Sequence, residues 1–280
     1  MQQKIMPCLW FDKNAEEAMN FYVSVFSQPQ ASTDRSKLVS IKRYPEEVPE
    51  DFMKGFEGKV LTGLFELAGY RFMALDGGPI FKFTPAISFF VRCRSADEVD
   101  RFWSALSDGG TALMPLDTYP FSKKYGWIQD HYGLSWQVIL AEDAVEPKIV
   151  PSLLFVGDQA GKAEEAITFY AEVFGNAAVG DIARYGANQE PDRPGTVASA
   201  DFRLEGQPFA AMDSARQHDF TFNEAISFYV ECAAQEEVDR LWQKLSAVPE
   251  SEQCGWLKDP YGVSWQIIPK RRYRWRTRFS

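Results

Sequence analysis

Apolar and polar positions along this chain follow two periods, and they do so in a fixed order. KIMPCLWF, residues 4–11, is a short apolar run of strand character. Behind it Asn14 and Glu17 stand at capping-box spacing, and Ala18, Tyr22, Val25 and Phe26 fall on one helical face. LVSIKRY and KVLTGLFELAGYRFMAL then alternate with period two, the second broken near Ala68 and Gly69 as a hairpin would be, so three strands follow the helix. The order restarts at AISFFVRC, a strand. Ser95 and Glu98 then cap a helix that buries Val99, Phe102, Trp103 and Leu106, and the strands after it end in YGWIQDHYGLSWQVIL, two strands around an Asp-x-Tyr-Gly turn. The pattern predicts two βαβββ modules.

The same blocks then recur. AEEAMNFYVSVF returns as AEEAITFYAEVF, AISFFVRCRSADEVDRFWSAL as AISFYVECAAQEEVDRLWQKL, and the quoted hairpin as CGWLKDPYGVSWQIIP. The offset between copies shrinks along the chain, because the second copy lacks most of TALMPLDTYPFSK. This is a duplicated domain whose loops have changed length. The predicted organisation is one domain over 1–143, a second over 148–269 and a basic tail over 270–280, with the boundary in AEDAVEPK.

Composition narrows the class. A chain of 280 residues with 45% hydrophobic and 15% aromatic content can fill two cores. No apolar run approaches the roughly 18 residues of a membrane span, and MQQKIMPCLWF lacks the order of a signal peptide, so a cytoplasmic protein without membrane partners is expected. Cys8, Cys93, Cys232 and Cys254 are scattered without a Cys-x-x-Cys pair, which points to buried free thiols. Net charge is -9 even with KRRYRWRTRFS at the end, so the body is strongly acidic and argues against nucleic acid. The tail mixes arginine with Tyr273, Trp275 and Phe279 and could grip phosphates, but a solvated or loosely docked terminus is the commoner fate.

The blocks AEEA-x-x-FY-x-x-VF, ALDGGP at Ala74–Pro79, AISF-x-V-x-C, EVDR-x-W and GW-x-x-D-x-YG-x-SWQ resemble the PhnB-like branch of the vicinal oxygen chelate superfamily. That superfamily includes glyoxalase I, extradiol dioxygenases and bleomycin-resistance proteins. The resemblance runs over nearly the whole chain, once per half. It implies an α+β fold of four βαβββ modules in two glyoxalase-like domains, with mixed sheets curled into clefts and helices outside. It also implies a metal held by inward side chains of first and last strands. Aligned on the shared blocks, those positions fall near Pro7, Ala86, Pro151 and Ala225, at Gln137 and Gln266, and loosely around Met73 and Met212.

Proline and alanine offer a transition metal no donor, and a lone glutamine carbonyl is a neutral, weak ligand. No metal or other cofactor is therefore expected. An amide can donate and accept hydrogen bonds without titrating, which suits a neutral ligand. Alternation puts Ser135 and Gln137 on one face with Ser88 and Phe90 on the neighbouring strand, and Ser264, Gln266, Ser227 and Tyr229 as counterparts. Trp136 and Trp265 then lie under helices, and Trp127 and Trp256 are expected to fill the core. Ser-x-Gln could equally satisfy only its own neighbours. Asp76 and Asp213 are the nearby acids, either turn residues or an acid and base. His131 and His218 occupy non-equivalent loop positions and rescue no metal site.

Other signatures fail. GDQAGKA at Gly157 is too short for a phosphate loop, and there is no Gly-x-Ser-x-Gly elbow or glycine-rich dinucleotide turn. The name 3-demethylubiquinone methyltransferase, often attached to this branch, therefore reads as an inherited label, since βαβββ modules do not make a doubly wound sheet. Three readings follow. One is a metal-free protein binding a small, largely apolar molecule in β-lined clefts. Another is an enzyme of the superfamily, a lyase, dioxygenase or transferase, either metal-dependent or using Asp76 and Asp213. The third is a scaffold with one cleft closed by the shortened loop after Leu245. The first is preferred, with a monomer or homodimer both open.

Overall fold

The computed structural model describes residues 3–27, 35–47, 54–141 and 146–270; tail residues 271–280 and part of the predicted domain boundary, 142–145, lie outside the described residues. The first module is β1 (Ile5–Phe11), α1 (Ala15–Phe26), β2 (Lys37–Arg43), β3 (Val60–Leu67) and β4 (Tyr70–Asp76). The second is β5 (Ile87–Cys93), α2 (Ala96–Ser107), β6 (Thr111–Tyr119), β7 (Ser122–Gln129) and β8 (Ser135–Leu140). The third is β9 (Ile149–Phe155), α3 (Ala163–Val173), β10 (Ala178–Arg184), β11 (Val197–Leu204) and β12 (Gln207–Asp213). The fourth is β13 (Ile226–Cys232), α4 (Gln235–Leu245), β14 (Trp256–Lys258) and β15 (Ser264–Pro269).

That last module departs from the predicted βαβββ order. A 3-10 turn at Pro249–Ser251 and the three-residue β14 replace the nine-residue β6 and the eight-residue β7 of the second module. The deleted segment leaves too few residues to build the hairpin.

The strands form two sheets, and each sheet draws on both halves of the chain. One runs β14-β15-β13-β1-β4-β3-β2, from the two outer modules; the other runs β10-β11-β12-β9-β5-β8-β7-β6, from the two inner modules. The seams are antiparallel pairs, Met6 opposite Tyr229 and Cys8 opposite Ser227 in the outer sheet, Val150 opposite Phe90 and Ser152 opposite Ser88 in the inner one. The concave faces are therefore an outer cleft and an inner cleft, each shared by the halves, where a cleft within each half was expected.

The buried residues of both halves form one core cluster, within which the close ring packing under the helices pairs modules of the same half. Phe26 meets Phe102 at 4.8 Å and Trp136 at 5.5 Å, and Phe72 meets Phe89 at 5.1 Å, all between the first and second modules. Phe174 on Trp265 (5.0 Å) and Phe209 on Phe228 (5.6 Å) repeat this between the third and fourth. Trp136 and Trp265 are fully buried under the helices, as alternation predicts.

The repeated Asp-x-Tyr-Gly turn ties these layers together. Buried Asp130 accepts hydrogen bonds from the Tyr132 and Leu134 backbone N–H groups, from Tyr22 Oη on α1 (2.8 Å) and from Trp136 Nε1 on β8 (2.9 Å). Asp259 does the same with Tyr261, Val263, Tyr170 (2.6 Å) and Trp265 (2.8 Å). One carboxylate thus locks hairpin, strand and helix. It also explains why the hairpin occurs twice, since each half needs its own lock.

Candidate functional site

Strand alternation fixes what faces each cleft. On β1, Ile5, Leu9 and Phe11 belong to the core, so Met6, Cys8 and Trp10 face the outer cleft; on β9, Ile149, Leu153 and Phe155 are core, leaving Val150, Ser152 and Leu154 for the inner one. Register then places Cys8 beside Met73 and Ser227, and Ser152 beside Ala210 and Ser88. The expected positions shift accordingly. Pro7 and Pro151 give way to Cys8 and Ser152, Ala86 and Ala225 precede their strands, and Ala210, not Met212, is the counterpart of Met73.

In the inner cleft Tyr125 Oη donates to Gln137 Oε1 (2.6 Å) and Gln137 Nε2 donates to Ser88 Oγ (2.8 Å). Trp127 Nε1 donates to Ser135 Oγ (2.7 Å). Ser88, Ser135 and Gln137 are all buried, so the Ser-x-Gln strand satisfies its neighbours here. Ser152, 1% exposed, is different: among the described residues its Oγ finds no hydrogen-bond partner.

In the outer cleft Gln266 Nε2 donates to Ser227 Oγ (2.9 Å), and the Cys8 thiol lies within hydrogen-bonding reach of both. Burial pushes that thiol up to about 12, against weaker stabilisation of its anion by the two partners, so it is neutral at physiological pH. Cys254 replaces Tyr125 at the matching hairpin position and is exposed, contrary to the expectation that all four thiols are buried. Trp127 and Trp256 also depart from expectation. Both are half-buried on the cleft side; Trp256 pairs with Gln266 in register and meets Trp10 edge-on at 6.2 Å.

Asp76 and Asp213 do not join these groups. They continue the core-facing rows of β4 and β12 and hold the starts of the helices. Asp76 accepts from the Ala15 N–H (2.9 Å) and the Val60 N–H (2.9 Å); Asp213 accepts from Gly161, Ala163 and Val197. Burial raises both carboxyls above their ordinary range despite these donors. Asp76 also does the capping expected of Asn14, whose side chain makes no cap bond, while Ser95 does cap α2 through the Glu98 N–H. His131 lies exposed against Phe21, and His218 lies beside Ser214 Oγ (3.0 Å).

Among the described residues no group of three or more His, Cys, Asp or Glu side chains could hold a metal. The central donors are a protonated thiol, a thioether, hydroxyls and amides. That set does not fit a divalent transition metal, which needs several imidazole, carboxylate or thiolate ligands.

Sequence reasoning missed a hollow of about 420 Å³ at one end of the inner cleft, over Phe90, Ile139, Val150 and Ala210, with Arg92, Asp201 and Arg203 at its rim. The signal was present in the repeat. Aligning VLTGLFELAGYRFMALD with VASADFRLEGQPFAAMD sets Met73 against Ala210 and Glu66 against Arg203.

Curled mixed sheets built from paired modules, with helices on the convex side, define a glyoxalase-like fold. Maize (Zea mays) glyoxalase I has this fold: its structure superposes on 93% of this chain and 89% of its own at a TM-score of 0.54 with 13% identity. A glutamate-to-glutamine mutant of the same maize enzyme superposes on 95% of this chain and 94% of its own at 0.56 with 12% identity. The chain belongs to the family described as 3-demethylubiquinone-9 3-methyltransferase, whose model matches residues 3–139 and again 147–268. A PhnB protein from Bacillus cereus is 47% identical over 50% of this chain and 100% of its own, at a TM-score of 0.44. No curated protein matches the chain.

Proposed function

We propose that this protein binds a small, largely apolar molecule in its β-lined clefts without a metal. The observation that carries this is the pairing, in the inner cleft, of a neutral, hydrogen-bonded centre at Tyr125, Gln137 and Ser88 with an adjoining hollow floored by apolar side chains. Phe90 and Tyr229, half-buried at matching positions of the inner and outer clefts, supply aromatic walls. Chemistry by Asp76 or Asp213 gains no support, because both carboxylates are engaged by backbone N–H groups on the helix side. The family's methyltransferase wording is not carried over either, since neither mixed sheet is the doubly wound parallel kind with a glycine-rich loop at its switch point.

A metabolite-library thermal-shift screen on metal-stripped protein tests this reading. A ligand at a hundred times its dissociation constant stabilises by about 2.7 kcal/mol, a readily measured shift. Metal-independent stabilisation by an apolar small molecule is expected. Turnover or binding that appears only after a divalent metal is restored would contradict it.

A further inference from the structure

One row of side chains crosses the inner cleft. Register sets Ser88 on β5 beside Ser152 on β9, Ser152 beside Ala210 on β12, and Ala210 beside Asp201 on β11. Ala210 and Asp201 line the hollow, so the two serines continue the row inward from it. Ser152 is 1% exposed and its Oγ has no hydrogen-bond partner among the described residues, whereas buried hydroxyls in folded proteins are as a rule paired. Ser88 Oγ accepts from Gln137 Nε2 and retains its own proton to donate. Two hydroxyl donors thus stand side by side where the hollow ends.

The rim of the hollow does not select an ion. Arg92 and Arg203 act on Asp201 there, and Asp181 lies close enough to act on it too, so two cations are set against two anions. A neutral ligand leaves that balance undisturbed.

The outer cleft provides an internal control. Its matching row reads Ser227, Cys8, Met73 and Leu64. Cys8 lies within reach of Ser227 and Gln266, and Met73 puts a long side chain where the inner row has only the methyl of Ala210. Of the two rows, the inner one combines an unpartnered hydroxyl, among the described residues, with a short neighbour.

We propose that the inner cleft takes a neutral, apolar carbonyl compound, its oxygen accepting from Ser152 and Ser88 and its apolar body over Phe90, Val150 and Ala210. This deepens the small-molecule reading above and rests on it. A carbonyl oxygen has two lone pairs and no proton, which matches two donor hydroxyls. A ligand without that oxygen leaves Ser152 buried and unpaired in the complex, and binding weakens accordingly. The hollow, about 420 Å³, suits a body of one or two rings.

Ligand-detected NMR titration of the full chain with acetophenone and α-methylstyrene, its isostere with CH2 in place of the carbonyl oxygen, tests the proposal. The titrations are repeated on Ser152→Ala and on Ala210→Met, which copies Met73 of the outer cleft. Acetophenone is expected to bind about tenfold more tightly than the hydrocarbon, and Ser152→Ala to cut that preference to about threefold or less through loss of ketone affinity. Ala210→Met should weaken both probes by more than about tenfold. Ser152→Ala removes an oxygen and no packing carbon, so it folds even where the bulkier variant does not. Equal affinity for the two probes, or an unchanged preference in Ser152→Ala, would overturn the carbonyl assignment while leaving small-molecule binding standing. Unchanged binding to a folded Ala210→Met protein would overturn the location. Binding of neither probe at its solubility limit would overturn the proposal, and the library screen would still decide the broader reading independently.

Discussion

At the centre of the outer cleft a buried thiol, Cys8, stands where the inner cleft has the Ser152 hydroxyl, unpartnered among the described residues, and Cys254 stands where the inner cleft has Tyr125. The strands beneath are near-copies with the same register, and both clefts keep a glutamine bonded to a serine. The halves have therefore preserved what folds them and let drift what faces the concave side. The Asp130 and Asp259 locks are identical in every partner type, whereas the cleft walls differ in bulk, charge and hydrogen bonding. A duplicated chain whose sheets are each assembled from both copies cannot lose one half and keep one cleft. That coupling preserves the locks and seams while each wall remains free to vary.

The largest effect should come from breaking what the halves share. Asp259→Ala leaves the Tyr170 hydroxyl and the Trp265 indole N–H buried without their acceptor and should cost about 3–5 kcal/mol in urea unfolding, and Asp130→Ala a similar amount. A much smaller loss in one half would show that the two locks are not equivalent.

The pH dependence of the lock follows from its burial. Desolvation pushes Asp259 up to about 6 from an ordinary 3.8, outweighing the four donors that favour its anion. The folded protein therefore holds a proton that the unfolded chain releases. This contribution to stability is full below about pH 3.8 and is lost as pH rises through about 6, a change on the order of 3 kcal/mol. Unfolding curves from pH 4 to 7 should fall in this direction in the native protein and less steeply in Asp259→Asn, where the raised carboxyls of Asp130, Asp76 and Asp213 remain.

The sequence laid open most of this architecture. Period-two and period-three-to-four patterning located nearly every element, and the drifting offsets exposed the duplication, but the missing segment read as a shortened loop where the structure has lost a strand. The cross-half sheets were hidden, because alternation says which face a residue takes but not which strand it pairs with. The one-step error at Pro7 has the same origin: only the pairing of Cys8 with Ser227 shows that the thiol, not the proline, points into the cleft. For Asp76 and Asp213 the sequence left two roles open, because a carboxylate beside a turn reads alike whether it meets a ligand or a helix start. Half-buried Trp127 and Trp256 misled because a large apolar side chain suits a core or a cleft wall equally.

Smaller substitutions sharpen the contrast between the clefts. Tyr125→Phe removes the donor to Gln137 Oε1 and should destabilise by about 1–2 kcal/mol, a loss with no counterpart in the outer cleft, where Cys254 makes no such bond. Ser152→Ala removes a buried hydroxyl that has no partner among the described residues and should stabilise the ligand-free protein by roughly 1 kcal/mol. Cys8→Ala should instead destabilise, because it empties a packed site and removes a group within reach of Gln266 and Ser227. Thermal unfolding of the three variants side by side separates these signs.

Elemental analysis of purified protein, followed by titration with zinc, nickel, manganese and ferrous ions under thermal unfolding, bears most directly on the claim that both clefts work without a metal. Sub-stoichiometric metal and an unfolding temperature indifferent to every ion are expected. One tightly held ion per cleft, lost in Gln137→Ala or Gln266→Ala and accompanied by a fall in stability, would contradict it.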